Sequence, residues 1–179
     1  MAVRVAFLFA ALVCGAFMTG VYAQACPQQG MITLKSRRLD KTTGTDNYVN
    51  AGFSFEKNTN GELGKKITRN DWDILFSTIR NFDGSVHKNI FDVTTVVDDR
   101  SRLADLGKLE WTDDFRIPAL PAFEKPARER SAEAIVGHIY LVHTVDSDSD
   151  LYALFRVDEM ESGESATITW KLIPTPLYA

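Results

Sequence analysis

Ser165 to Leu172 alternates in character without exception: Ala166, Ile168, Trp170 and Leu172 are apolar, and Ser165, Thr167, Thr169 and Lys171 are polar. Successive side chains of a strand point to opposite faces, so this period predicts a half-buried strand and excludes a helix. Two segments upstream belong with it. Residues 135–145 are an apolar run with β-branched members. Leu151, Ala153, Phe155 and Val157 alternate with Tyr152, Leu154, Arg156 and Asp158. The links 146–150 and 159–164 are short and turn-rich. Three strands so joined predict an antiparallel meander. The first two have few polar positions on either face, which places them centrally.

Earlier strands follow the same logic. Phe53 and Phe55 share one face of a strand over 48–56, and Asn58-Thr-Asn-Gly61 supplies turn chemistry. In a strand from Trp72 to Ile79, Trp72, Ile74 and Phe76 face one way and Asp71, Asp73 and Leu75 the other. Residues 81–84, ending Asp83-Gly84, close a hairpin to a strand within 86–97. Asp99–Gly107 reads as one short helix, capped by Asp98 or Asp99, with Leu103 and Leu106 as its apolar edge and Gly107 as its stop. Pro118, Pro121 and Pro126 make residues 112–133 a long surface loop, pinned by Ile117, Leu120 and Phe123. The expected fold class is all-β, an antiparallel β-sandwich or partly closed barrel with one short helix.

The N-terminus reads as an export signal. Arg4 precedes an uncharged apolar run from Val5 to Met18, and small residues then offer cleavage after Ala23 or after Ala25. Polar residues follow at once, and no basic cluster closes the run as a stop-transfer anchor. The expected organisation is a signal peptide over 1–25, a polar arm over 26–48 and a β-rich domain over 49–174. Within the arm, Met31, Ile32 and Leu34 suit a short edge strand. Roughly 150 residues remain after cleavage, enough for one domain with its own core. The expected location is secreted or cell envelope, with no transmembrane helix in the mature chain. Cys14 leaves with the signal. Cys26 then stands alone, as a free thiol, a bridge between chains, or a lipid attachment point. Lipidation normally asks for Leu or a similar residue three positions before the cysteine, and Ala23 stands there. The formal net charge is −4. The basic residues Lys35, Arg37, Arg38 and Lys41, and Lys65, Lys66 and Arg69, are local clusters in an acidic chain, so nucleic-acid binding is not expected.

Chemistry-bearing residues are few. His138 and His143 lie five apart on one predicted strand, which puts them on opposite faces. A metal or haem iron would therefore pair one of them with His87 or with another group. Asp146, Asp148 and Asp150 have the spacing of a calcium loop, but Leu151 and Val157 stand where that loop needs Gly and Glu, so a polar hairpin tip is expected. Asp71 and Asp73 on one face offer a carboxylate pair for acid–base work. No nucleophile elbow, zinc helix or phosphate-binding glycine loop is present.

Two patches resemble the HmuY-type haem-binding proteins. Asn70-Asp-Trp-Asp-Ile-Leu-Phe76, after Gly52-Phe-Ser-Phe55, is similar to that family's extended strand and D-W-D-I pattern. Gly137-His-Ile-Tyr-Leu-Val-His143, followed by Leu151-Tyr-Ala-Leu-Phe-Arg-Val157, is similar to its late hairpin. The resemblance implies an exported all-β protein, often lipid-anchored, with haem bound by two histidines in some members. Neither histidine maps onto a matching motif here. The leading expectation is an exported, non-catalytic binding module whose ligand is an unknown protein, glycan or small molecule. The alternatives are a haem-binding protein using His87 with His138 or His143, and a hydrolase with loop-covered carboxylates.

Overall fold

The computed structural model describes residues 29–47, 51–60, 72–93, 101–112, 130–145 and 150–174. The expected signal peptide, Cys26, Asp71, the basic residues Lys65, Lys66 and Arg69, the span 146–149 and most of the proline-rich segment lie outside them.

Among the described residues, twelve strands build two packed sheets. The first sheet contains β1 (Gln29–Lys35), β12 (Ser165–Ile173), β11 (Asp150–Glu161), β10 (Ile139–Val145) and β8 (Arg102–Gly107), in that spatial order. The second contains β2 (Arg37–Asp40), β3 (Thr45–Asn47), β4 (Gly52–Ser54), β5 (Thr59–Asn60), β6 (Ile74–Arg80), β7 (Val86–Asp92) and β9 (Ser131–Glu133). Within it β6 is the hub, paired with β2, β4 and β7. The predicted meander is β10-β11-β12, with β10 and β11 inside their sheet. The hairpin closed by residues 81–84 joins β6 and β7, and Gly84 takes the positive φ of 83° that its turn needs. All pairs are antiparallel except β2 with β6. The sheets form a sandwich and not a closed barrel. Among the described residues, no helix is long and apolar enough to cross a membrane.

The core is an unbroken run of aromatic contacts between the sheets. Phe53 and Phe55 from β4 and its end meet Trp170 of β12 at 5.4 and 5.5 Å between ring centroids. Phe55 also stacks over Phe155 of β11 at 6.5 Å. Phe155 stacks on Tyr140 of β10 at 4.9 Å, and Phe91 of β7 meets both edge-on. Phe76 of β6 completes the run against Phe91. All of these rings are buried. Each buries a large apolar area, and edge or offset contacts add to that gain. The period-two pattern of β12 is what aims Ala166, Ile168 and Trp170 into this layer.

Three sequence expectations change. Residues 131–133, expected at the end of the long surface loop, are strand β9, paired with β7. The expected short helix is a strand where the residues are described: residues 102–107 are β8, paired with β10, while Asp98 and Asp99, the expected caps, lie outside the described residues. Leu103 enters the inter-sheet core, while Leu106 packs on the outer face of the sheet. A spacing of three gives one helix face but two strand faces. A helix barely two turns long has little stability of its own, so pairing along β10 decides. Residues 37–40 and 45–47, expected within a connecting arm, are strands of the second sheet, while Met31, Ile32 and Leu34 do lie on an edge strand. The bidentate Arg37–Asp46 pair, both bonds at 2.8 Å, holds β2 to β3.

Tyr140 is a core phenol with both hydrogen-bond roles used. Its hydroxyl donates to the Glu133 carbonyl at 2.7 Å and accepts from the Ile135 amide at 2.9 Å. Burial pushes its pKa far above the ordinary value of 10.0. Tyr140→Phe should strand both backbone groups and lower unfolding free energy in urea by about 1–3 kcal/mol. The folded state favours the protonated phenol, so its contribution is complete below pH ~10 and is lost as pH rises beyond it. The stability difference between wild type and Tyr140→Phe should therefore shrink at high pH.

Candidate functional site

His138 and His143 do not form one site. His138 places Nδ1 at 3.0 Å from Asp105, and His143 places Nε2 at 2.8 Å from Asp150. Five residues of strand separate these two by roughly 16 Å. Two nitrogens on one iron lie about 4 Å apart, from metal–nitrogen bonds of about 2 Å. His143 and Tyr152 are cross-strand partners on β10 and β11, and their rings stack at 4.0 Å. His87 is exposed on β7, in the other sheet. Among the described residues, no group of three or more His, Cys, Asp or Glu is placed to hold a metal ion.

Asp73 is a structural group. It is 4% exposed, and its carboxylate accepts the Phe55 amide at 2.6 Å while its own amide donates to the Phe53 carbonyl at 2.8 Å. These bonds clasp β4 to the start of β6. A carboxylate occupied in this way is poorly placed for acid–base chemistry, and Asp73→Ala should unfold at lower urea with an unpaired Phe55 amide.

The outer face of the first sheet carries a second apolar cluster of Ile139, Leu141, Tyr152 and Leu154. Trp111, just past β8, packs on it between Arg156 and Lys171, whose charged groups lie 5.6 and 4.9 Å from the indole centroid. Lys171 also donates to the Thr112 carbonyl at 2.6 Å. Cation–π contacts and a backbone bond thus hold this segment down.

One end of the sandwich is different, because its turns display apolar side chains to solvent. Six large hydrophobic residues are exposed among the described ones, and five belong to this end. Phe82 and Val86, 80% and 43% exposed, lie on the β6–β7 hairpin. Ile135 and Val136 lie in the turn between β9 and β10, and Leu109 follows β8. Ala134 donates to the Asn89 carbonyl at 2.6 Å, which ties that turn to β7. A Cβ at Gly137 would lie 3.8 Å from Lys108 Cε, which brings the Leu109 segment alongside.

Beneath these turns the end is braced. Thr78 of β6 faces both Lys88 and Asn89 of β7, a bulge in which Asn89 takes a positive φ of 57°. Asn tolerates that region better than most residues. The bulge aims its side chain at the β11–β12 turn, where Oδ1 accepts the Gly163 amide at 2.7 Å. Ser36 donates its amide to the Glu164 carbonyl at 2.7 Å, and Arg38 pairs with the Glu164 carboxylate. The hairpin tip is held as well. The Ser85 hydroxyl and amide donate to Asp83 and keep its carboxyl below the ordinary range. Lys41 donates to Asn81 at 2.9 Å, and Asn81 donates to Ser85 at 3.0 Å. Phe82 is therefore presented on a fixed turn.

The β11–β12 hairpin also borders a depression of about 230 Å³, lined by Glu159, Met160, Glu161, Ser165 and Thr167. Small-molecule sites are typically larger, roughly 300–1,000 Å³, and mostly apolar. Sequence reasoning placed the hairpin at 81–84 but missed that Phe82 would stand on it exposed. The available signal was a large aromatic between turn residues, in Asn81-Phe-Asp-Gly84.

The placement of the histidines makes haem capture testable. Titrating haemin into the protein should give no one-equivalent Soret shift that depends on histidine. A saturable shift lost in His87→Ala or His143→Ala would overturn this reading. Compared with family models, with curated proteins and with solved structures, the chain matches none of them.

Proposed function

We propose that this protein is an exported, non-catalytic binding module that docks a protein partner through the turn end of its sandwich. The observation that carries the reading is the concentration of exposed apolar residues on braced turns there: Phe82, Val86, Ile135, Val136 and Leu109. Scattered exposed hydrophobics are ordinary, but a group at one end suits recognition. Loops set on a rigid scaffold are where binding residues concentrate. Fixing the turn beforehand lowers the entropy lost on docking. Export rests on the order of Arg4, the apolar run and the small residues before Cys26.

The test is a quantitative pull-down from the envelope and secreted fractions of the native host. The wild-type protein should retain a defined partner. The double variant Phe82→Ser, Val136→Ser should retain at least tenfold less, as expected when an exposed aromatic anchor is lost. Its urea midpoint should stay close to wild type, because both side chains are solvent-exposed. Equal retention by both proteins would refute the assignment of the binding end.

A further inference from the structure

The edges of the two sheets are not equally protected. In the second sheet β3 and β9 have only three residues each. In the first sheet β8 lies beside β9. β1 differs. Its seven residues pair with β12 in seven consecutive register positions without a bulge, and among the described residues no strand pairs with its other edge. Natural sheet edges are blunted by charge, proline, bulges or a covering segment. Gln29-Gly-Met-Ile-Thr-Leu34 contains no charge and no proline, and Lys35 comes only at the end. Met31 on this strand is 68% exposed, the one large hydrophobic residue exposed away from the turn end among the described residues.

We propose that β1 pairs with β1 of a second copy of this chain, antiparallel across a two-fold axis at Ile32. The edge is self-complementary in that register. Gln29 meets Lys35, Gly30 meets Leu34, and Met31 meets Thr33, each from the opposite copy. Residues paired in an antiparallel ladder share a face. Leu34 and Ile32, which contribute to the core, therefore stay on the inner layer, and Met31 loses exposure against Thr33 on the outer face. The two Lys35 side chains fall at opposite ends of the pair, so no like charges meet. The two first sheets become one continuous sheet. A single seven-residue strand pair buries less than the ~1,200–2,000 Å² of a standard stable interface, so the dimer is reversible and depends on concentration. This surface is separate from the turn end and does not depend on its assignment.

Sedimentation equilibrium tests it, on protein recovered from the secreted or envelope fraction and studied across the micromolar range. The wild type should pass from monomer to dimer as concentration rises. Met31→Lys should weaken the dimer at least tenfold by placing a charge on the edge. Gln29→Lys, which faces Lys35 of the other copy in the proposed register, should do the same. Both positions are exposed, so unchanged far-UV spectra will separate lost pairing from lost folding. Hydrogen exchange at β1 amides should slow as the dimer forms. A wild-type monomer at every concentration overturns the proposal and leaves the edge to a strand from a different protein. A dimer indifferent to both substitutions also overturns it.

Discussion

The stacked and edge-on rings of Phe55, Phe155, Tyr140 and Phe91 hold the molecule together, because they are where the two sheets meet. Aromatic rings bury more area per residue than most other side chains and have few rotatable bonds. A chain without a described disulfide gains a defined sheet–sheet spacing from them. β10 and β11 are apolar on both faces, so they serve this layer on one side and the cluster under Trp111 on the other. Once those central strands are fixed, the hairpins at their ends have fixed origins.

From that frame follows the division between stability and display. Several polar groups near the core hold backbone: Asp73 holds Phe55, Tyr140 holds Glu133 and Ile135, and Asn89 holds Gly163. Two histidines are each engaged with a separate carboxylate. Among the described residues, five of the six exposed large apolar side chains lie on or beside the turns of one end. Asn89 and Ser36 tie the β11–β12 turn to the second sheet.

The sequence made the meander legible because Ala166, Ile168 and Trp170 repeat at the strand period, and strand pairing preserves that period. The β6–β7 hairpin was legible because Asp83-Gly84 has few other uses. β8 was not, since Leu103 and Leu106 satisfy a helical spacing and their separation onto two faces arises only from pairing with β10. The strands β2 and β3 were hidden for a related reason. They are short and polar, and are held by Arg37, Asp46 and the parallel edge of β6 instead of by an apolar face. Of the candidate site, the export pattern and the histidine positions could be read, but not what surrounds them. Exposure of Phe82 and Val136 depends on which turns converge, and that is a property of the assembled sandwich.

The most direct measurement is site-specific photocrosslinking in the producing cell, with a benzophenone side chain at position 82 and, in a separate variant, at position 150 on the opposite end of the first sheet. The account predicts a discrete covalent adduct with another protein from position 82 and little or none from position 150. No adduct from position 82, or the same adduct from both positions, would contradict it.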